Sequence, residues 1–170
     1  MSESTVLSHF HKKQAWMASH VESAQFPTAE SKEGLRLYKT AEAEPASTEK
    51  SSGGTAEGFT FYEVDCHPLM VRYAKTLAQK WPESERETIM EFLSQLSLTD
   101  LPTPDGMHVE LYVAMQEGTP VATGMLFSSE ESDGKVIGIY DVYGLTTDAS
   151  TAIKQHLISL AGNGNLVVSE

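Results

Sequence analysis

After "LTDLPTPDG" the sequence changes its period. "HVELYVAMQ" alternates, "EGTP" makes a tight turn, "VATGMLFSS" alternates again, "EESDGK" is a polar loop, and "VIGIYDVYG" completes a third run. Alternation by twos sends successive side chains to opposite faces of a strand, and connections this short join antiparallel neighbours. The stretch therefore predicts a three-stranded antiparallel meander, with helices to cover it on either side in sequence.

Upstream the spacing is helical. Leu7, Phe10, Met17 and Val21, with Trp16 and His20 beside them, predict one amphipathic helix over 5–24, whose solvated face carries His9, His11, Lys12 and Lys13. "LRLYKT" alternates like a short strand and ends an N-terminal unit, residues 1–40. Residues 41–58, "AEAEPASTEKSSGGTAEG", are poor in bulky apolar side chains and do not repay the entropy of ordering, which predicts a flexible linker. The main domain, 59–170, opens with "FTFYEV", a strand with Phe59, Phe61 and Glu63 on one side. "HPLMVRYAKTLAQKW" follows as a helix with Leu69, Tyr73 and Leu77 on one face, stopped by Pro82. Ser84 and Glu87 form a capping-box pattern ahead of Ile89, Phe92, Leu93 and Leu96. Behind the meander, Asp148 or Ser150 caps a helix with Ile153, Leu157, Leu160 and Ala161 inward, and "GNGNLVVSE" gives a turn and a last short strand.

A chain of 170 residues has room for one domain with a small appendage. Its formal net charge of -12 repels phosphate-rich polymers, which argues against nucleic acid and anionic membrane as partners. No apolar run reaches the roughly 20 residues of a membrane span, and the polar start lacks the apolar stretch of a secretory signal, so a cytoplasmic location is expected. Cys66 is the single cysteine and reads as a small half-buried side chain. The six histidines are dispersed, and no metal site is expected from them. Trp16, Tyr38, Trp81 and Tyr112 count as core or interface side chains.

"AMQEGTPVATGMLFS" followed by "IGIYDVYGL" and a helix resembles the GNAT acyltransferase superfamily, over roughly residues 59 to 168. The resemblance implies an α+β fold: a GNAT-like mixed sheet with a central antiparallel meander flanked by helices. It also implies that residues 1–40 are the remnant of a partial GNAT unit, and that a helix and two strands usual in the family are lacking after "NLVVSE". In the family, the strand matching "IYDVYGL" splays from its neighbour and pairs with the pantetheine arm of acetyl-CoA. Amides of the next loop and the helix N-terminus hold the pyrophosphate. By resemblance, then, the cofactor-binding positions are Val142, Tyr143, Gly144, Ala149, Ala152 and Lys154, with Leu145, Ile153 and Leu157 on the apolar positions. Ala149 stands where the family has Arg or Gln, Ala152 where it has its first glycine, Lys154 where it has a last small residue, and Asp148 adds negative charge beside them. Glu110 and Asp141 are the candidates for a general base.

The functional expectation is a GNAT-like acetyltransferase-family protein whose acetyl-CoA-dependent N-acyl transfer is weakened or lost. One alternative is a non-catalytic interaction or regulatory module, forming a homodimer or binding a protein partner through the sheet edge left after "NLVVSE". Another is a working transferase whose acidic surface suits an amine acceptor. A third is an unrelated α+β domain that binds a small molecule.

Overall fold

The computed structural model describes residues 3–22, 28–41, 46–48, 58–98, 106–131, 134–161 and 165–168. They carry α1 (Glu3–Glu22), α2 (Ala29–Ala41), β1 (Ala46–Thr48), β2 (Thr60–Glu63), α3 (His67–Ala78), α4 (Glu83–Leu98), β3 (Met107–Gln116), β4 (Thr119–Glu131), β5 (Gly134–Gly144), α5 (Thr147–Leu160) and β6 (Asn165–Val168). The meander forms as the alternation requires: β2 to β5 are successive antiparallel neighbours, and α5 carries the chain back so that β6 lies parallel to β5. The sheet order is β1-β6-β5-β4-β3-β2. This is the mixed sheet with a central antiparallel meander flanked by helices that the resemblance implies. Among the described residues no helix is long and apolar enough to cross a membrane.

The sheet is covered on both faces. Phe10, Met17, Tyr38, Tyr73, Leu77, Trp81, Phe92, Phe127 and Tyr140 form the core beneath α1 to α4. Tyr112, Leu126, Ile137, Ile139, Ile153, Leu157 and Leu166 form the second core beneath α5, with Phe59 and Phe61 at its margin. Period-two alternation in β5 sends Ile137 and Ile139 to one core and Tyr140 to the other.

Several local expectations are overturned. "LRLYKT" is helical, within α2, and its inward stripe is Ser31, Gly34, Leu35 and Tyr38 at spacings of three and four. Within the expected linker, Ala46–Thr48 form a strand antiparallel to β6; the remainder between 42 and 57 lies outside the described residues. That strand covers the edge of β6 from Leu166 to Val168, the edge on which the homodimer expectation rested. Leu7 and Leu160 are exposed rather than inward, Cys66 is exposed rather than half-buried, and Ser84 lies inside the first turn of α4 because that helix starts at Glu83. The cap of α5 is Thr146, neither Asp148 nor Ser150. "GNGN" falls largely outside the described residues.

The largest departure is in α1. His9 and Lys13, expected on the solvated face, are 0% and 1% exposed. His9 stacks on the Tyr140 ring and is bonded at both nitrogens. Its Nε2 lies 2.9 Å from the Phe127 carbonyl, which only accepts, so Nε2 carries the proton and Nδ1 accepts from the Tyr140 hydroxyl at 2.6 Å. Burial lowers the His9 pKa; the carbonyl bond and Glu131 oppose that and Lys12 adds to it. The unfolded chain, with an ordinary histidine near about 6.5, therefore takes up a proton first as pH falls. The contribution of neutral His9 is complete above that value and is lost below it, as pH drops toward the lowered folded value. Thermal melting is expected to fall between about pH 7.5 and about pH 5.5, and less steeply in His9→Gln. Parallel slopes for the two proteins would show that His9 does not set this dependence.

Candidate functional site

The site is built on an irregularity in β5. Thr123 pairs with Tyr143 and Met125 with Tyr140, so Asp141 and Val142 together oppose Gly124, a β-bulge. Asp141 takes φ 54, the left-handed region that Asp and Asn tolerate better than most residues. The bulge resets the alternation. Tyr140 packs in the core beneath α1 to α4, Val142 turns to the α5 core, and Tyr143 returns to the first. Asp141, between them, points its carboxylate into the first face, where its side chain is 8% exposed.

Side chains from two elements reach that carboxylate, and two further elements bear on Asp141. From α2, the Tyr38 hydroxyl lies 2.9 Å from Oδ1 and 2.8 Å from Oδ2. From α1, Lys13 Nζ lies 3.9 Å from Oδ1, above the Tyr38 ring at 4.6 Å and the Tyr140 ring at 4.9 Å. From β4, Thr123 Oγ1 donates to the Asp141 carbonyl at 2.9 Å. From α3, Tyr73 is wholly buried and its hydroxyl finds no hydrogen-bond partner among the described residues. Burial, and then the Asp141 charge, push the Tyr73 hydroxyl pKa well above its usual range.

The other carboxylate candidate is elsewhere. Glu110 pairs across the sheet with Leu126, on the α5 face, and accepts from the Tyr112 hydroxyl at 2.7 Å and from His108 Nε2 at 2.9 Å. Burial raises its pKa, but the bonds from His108 and Tyr112 outweigh that and hold the carboxyl below its ordinary range. The two candidate bases thus lie on opposite faces of the sheet, each engaged by donors. Among the described residues no group of three or more His, Cys, Asp or Glu side chains is placed to hold a metal ion.

The strand-to-helix junction is short. β5 ends at Gly144, and only Leu145 and Thr146 precede α5. Leu145 donates to the Val121 carbonyl. Gly144 lies so close to the first turn of α5 that a Cβ there would stand 2.3 Å from the Ser150 backbone nitrogen, which only a glycine avoids. Thr146 Oγ1 accepts from the Ala149 amide at 3.1 Å, and the Ser150 amide donates to the Thr146 carbonyl at 3.1 Å. The acidic residue of the first turn is Asp148.

Ala149, Ala152 and Lys154 all lie inside α5 rather than in a loop before it. Ala149 and Ala152 are 1% and 3% exposed and face the sheet; Lys154 is half-buried. Val142, Tyr143 and Gly144 lie at the end of β5, with the Tyr143 hydroxyl donating to the Gln79 carbonyl at 3.2 Å. Among the described residues the β5–β6 pairing ends at Ile139 and Val168, so these three lie beyond it. A pyrophosphate needs open amides and positive potential. Here the helix start is capped by its own threonine, carries Asp148 in its first turn, and has Ala149 and Ala152 buried.

Lys13, Tyr38, Tyr73 and Tyr140 are the residues of the cluster that pattern reading did not place near Asp141. One signal was available for Lys13: it falls three residues after Phe10 and four before Met17, on the buried stripe of α1.

No family model and no curated protein matches the chain. Solved structures do. A functionally unknown conserved protein from Staphylococcus epidermidis matches with a TM-score of 0.50 and 11% identity, over 79% of this chain and 54% of that one. An aminoglycoside acetyltransferase from an uncultured soil metagenomic sample matches with a TM-score of 0.49 and 17% identity, over 65% of this chain and 78% of that one. A predicted acetyltransferase from Clostridium acetobutylicum, solved with acetyl-CoA, gives a TM-score of 0.40 and 14% identity, over 65% of this chain and 79% of that one. The likeness to the Staphylococcus protein is one of fold, and this chain spans about half its length. The chain thus shares its fold with the Staphylococcus protein, and its mixed sheet with a central antiparallel meander is the α+β arrangement that the resemblance to the GNAT superfamily implies.

Proposed function

We propose that this is a GNAT-like acetyltransferase-family domain in which acetyl-CoA-dependent N-acyl transfer is weakened or lost. The observation that carries the reading is the start of α5, where Thr146 takes the Ala149 amide and Asp148 sets a negative charge in the first turn. An anion arriving there displaces a cap worth about 1 kcal/mol and meets a like charge. Neither carboxylate candidate compensates, because Asp141 is held by Tyr38 beside Lys13, and Glu110 by Tyr112 and His108. Calorimetric titration with acetyl-CoA, and with desulfo-CoA as the control for the thiol, is expected to give no saturable heat below millimolar ligand. Saturable one-site binding in the micromolar range would overturn the reading.

A working transferase is favoured by one feature, the stretch of β5 beyond its pairing with β6, where a pantetheine arm is held in the resemblance. Acetylation of a polyamine, an aminoglycoside or a lysine-bearing protein in an amine screen with acetyl-CoA would support it. A blank screen removes it.

A further inference from the structure

An ammonium group in a protein interior is unfavourable unless its surroundings replace the water it has left. Lys13 is 1% exposed, and what surrounds its nitrogen is specific. The faces of Tyr38, Tyr140 and Phe10 lie 4.6, 4.9 and 5.7 Å from Nζ, and the Asp141 carboxylate lies 3.9 Å away. Aromatic faces turned on a desolvated cation attract it through their quadrupoles, and a carboxylate beside them supplies the countercharge.

Most of this enclosure does not belong to the helix that fills it. Tyr38 comes from α2, Tyr140 and Asp141 from β5, and only Phe10 from α1 itself. Asp141 is positioned independently of the lysine. Tyr38 donates to both of its oxygens, Thr123 holds its backbone, and the bulge turns it inward.

We propose that Tyr38, Tyr140 and Asp141 form a binding site for a primary alkylammonium group, which α1 fills in cis with Lys13. The chain then carries its own competitor: a free amine of lysine-like shape binds once the lysine side chain is out of the enclosure. This does not rest on the reading of α5, since acetyl-CoA binding of any strength leaves the Lys13 enclosure unchanged.

The test is chemical rescue. Lys13→Ala removes the side chain beyond Cβ, and n-propylammonium restores the missing atoms. Its addition is expected to raise the melting temperature of Lys13→Ala saturably by several degrees, with no such rise in the wild type. The neutral isostere 1-propanol is expected to give none. Adding Asp141→Asn to Lys13→Ala is expected to weaken the amine effect by about tenfold or more. Should Lys13→Ala not fold alone, recovery of the folded signal in n-propylammonium but not in 1-propanol supports the site. An equal response to 1-propanol, an amine effect untouched by Asp141→Asn, or no response to either compound overturns it.

Discussion

Replacing Lys13 with methionine is expected to lower folding stability by about 3–5 kcal/mol, the range for leaving one member of a buried ion pair without the other. Methionine matches the lysine stem in length and suits the helix, so volume and propensity change little. What changes is the charge beside Asp141, whose side chain is 8% exposed and which, among the described residues, keeps the Tyr38 hydroxyl as donor to its carboxylate. Asp141→Asn alone is expected to destabilise as well, because it removes a countercharge from beside the buried ammonium. Asparagine is the right probe at this position, since it tolerates φ 54 and still offers an oxygen to Tyr38. The double variant should therefore be more stable than the sum of the single losses implies, by up to about 3 kcal/mol of coupling. Urea midpoints of the four proteins at constant m-value measure this directly. Strict additivity would show that Lys13 and Asp141 do not act as a pair.

A second large effect is expected at Gly34, where α2 crosses α4. A Cβ there would stand 2.4 Å from the Thr88 carbonyl oxygen and 2.6 Å from the Phe92 Cβ. Neither is the tip of a flexible side chain; one is helix backbone and the other is fixed to it. On an exposed helix Gly→Ala stabilises by about 1 kcal/mol, but overpacking at a contact this tight costs about 1–3 kcal/mol and at times more. Gly34→Ala is therefore expected to lose about 2 kcal/mol net. The shift reaches the polar cluster, because Tyr38 lies one helical turn along the same face as Gly34 and is the residue that grips Asp141. Gly34→Ala should thus also reduce the penalty of a second substitution at Lys13. A stabilised Gly34→Ala would show that the crossing of α2 and α4 yields readily enough to admit a Cβ at this position.

Both predictions concern residues whose letters conceal their setting. In α2 the inward stripe is Ser31, Gly34, Leu35 and Tyr38, regular in spacing but half of it small or polar, so a count of apolar side chains favours the alternation of Leu35 and Leu37 and suggests a strand. In α1 Lys13 continues the stripe of Val6, Phe10 and Met17, and a basic letter there reads as the solvated face until a carboxylate is seen opposite. Ala46–Thr48 has little strand character of its own and is a strand because β6 offers an edge.

What the sequence determined by itself was local: the meander, α3, α4, α5 and the order that resembles a GNAT domain follow from periods of two and 3.6, which each segment carries in its own residues. The tertiary structure decided what depends on a partner distant in the chain. It placed Lys13 beside Asp141 across 128 positions, as their numbers show. It set the bulge that turns Tyr140 and Asp141 to one face, and it started α5 early enough to bury Ala149 and Ala152. The physical reason is that a buried charge, a bulge and a borrowed strand are stable only against the groups that meet them, and those groups come together only when the chain has folded.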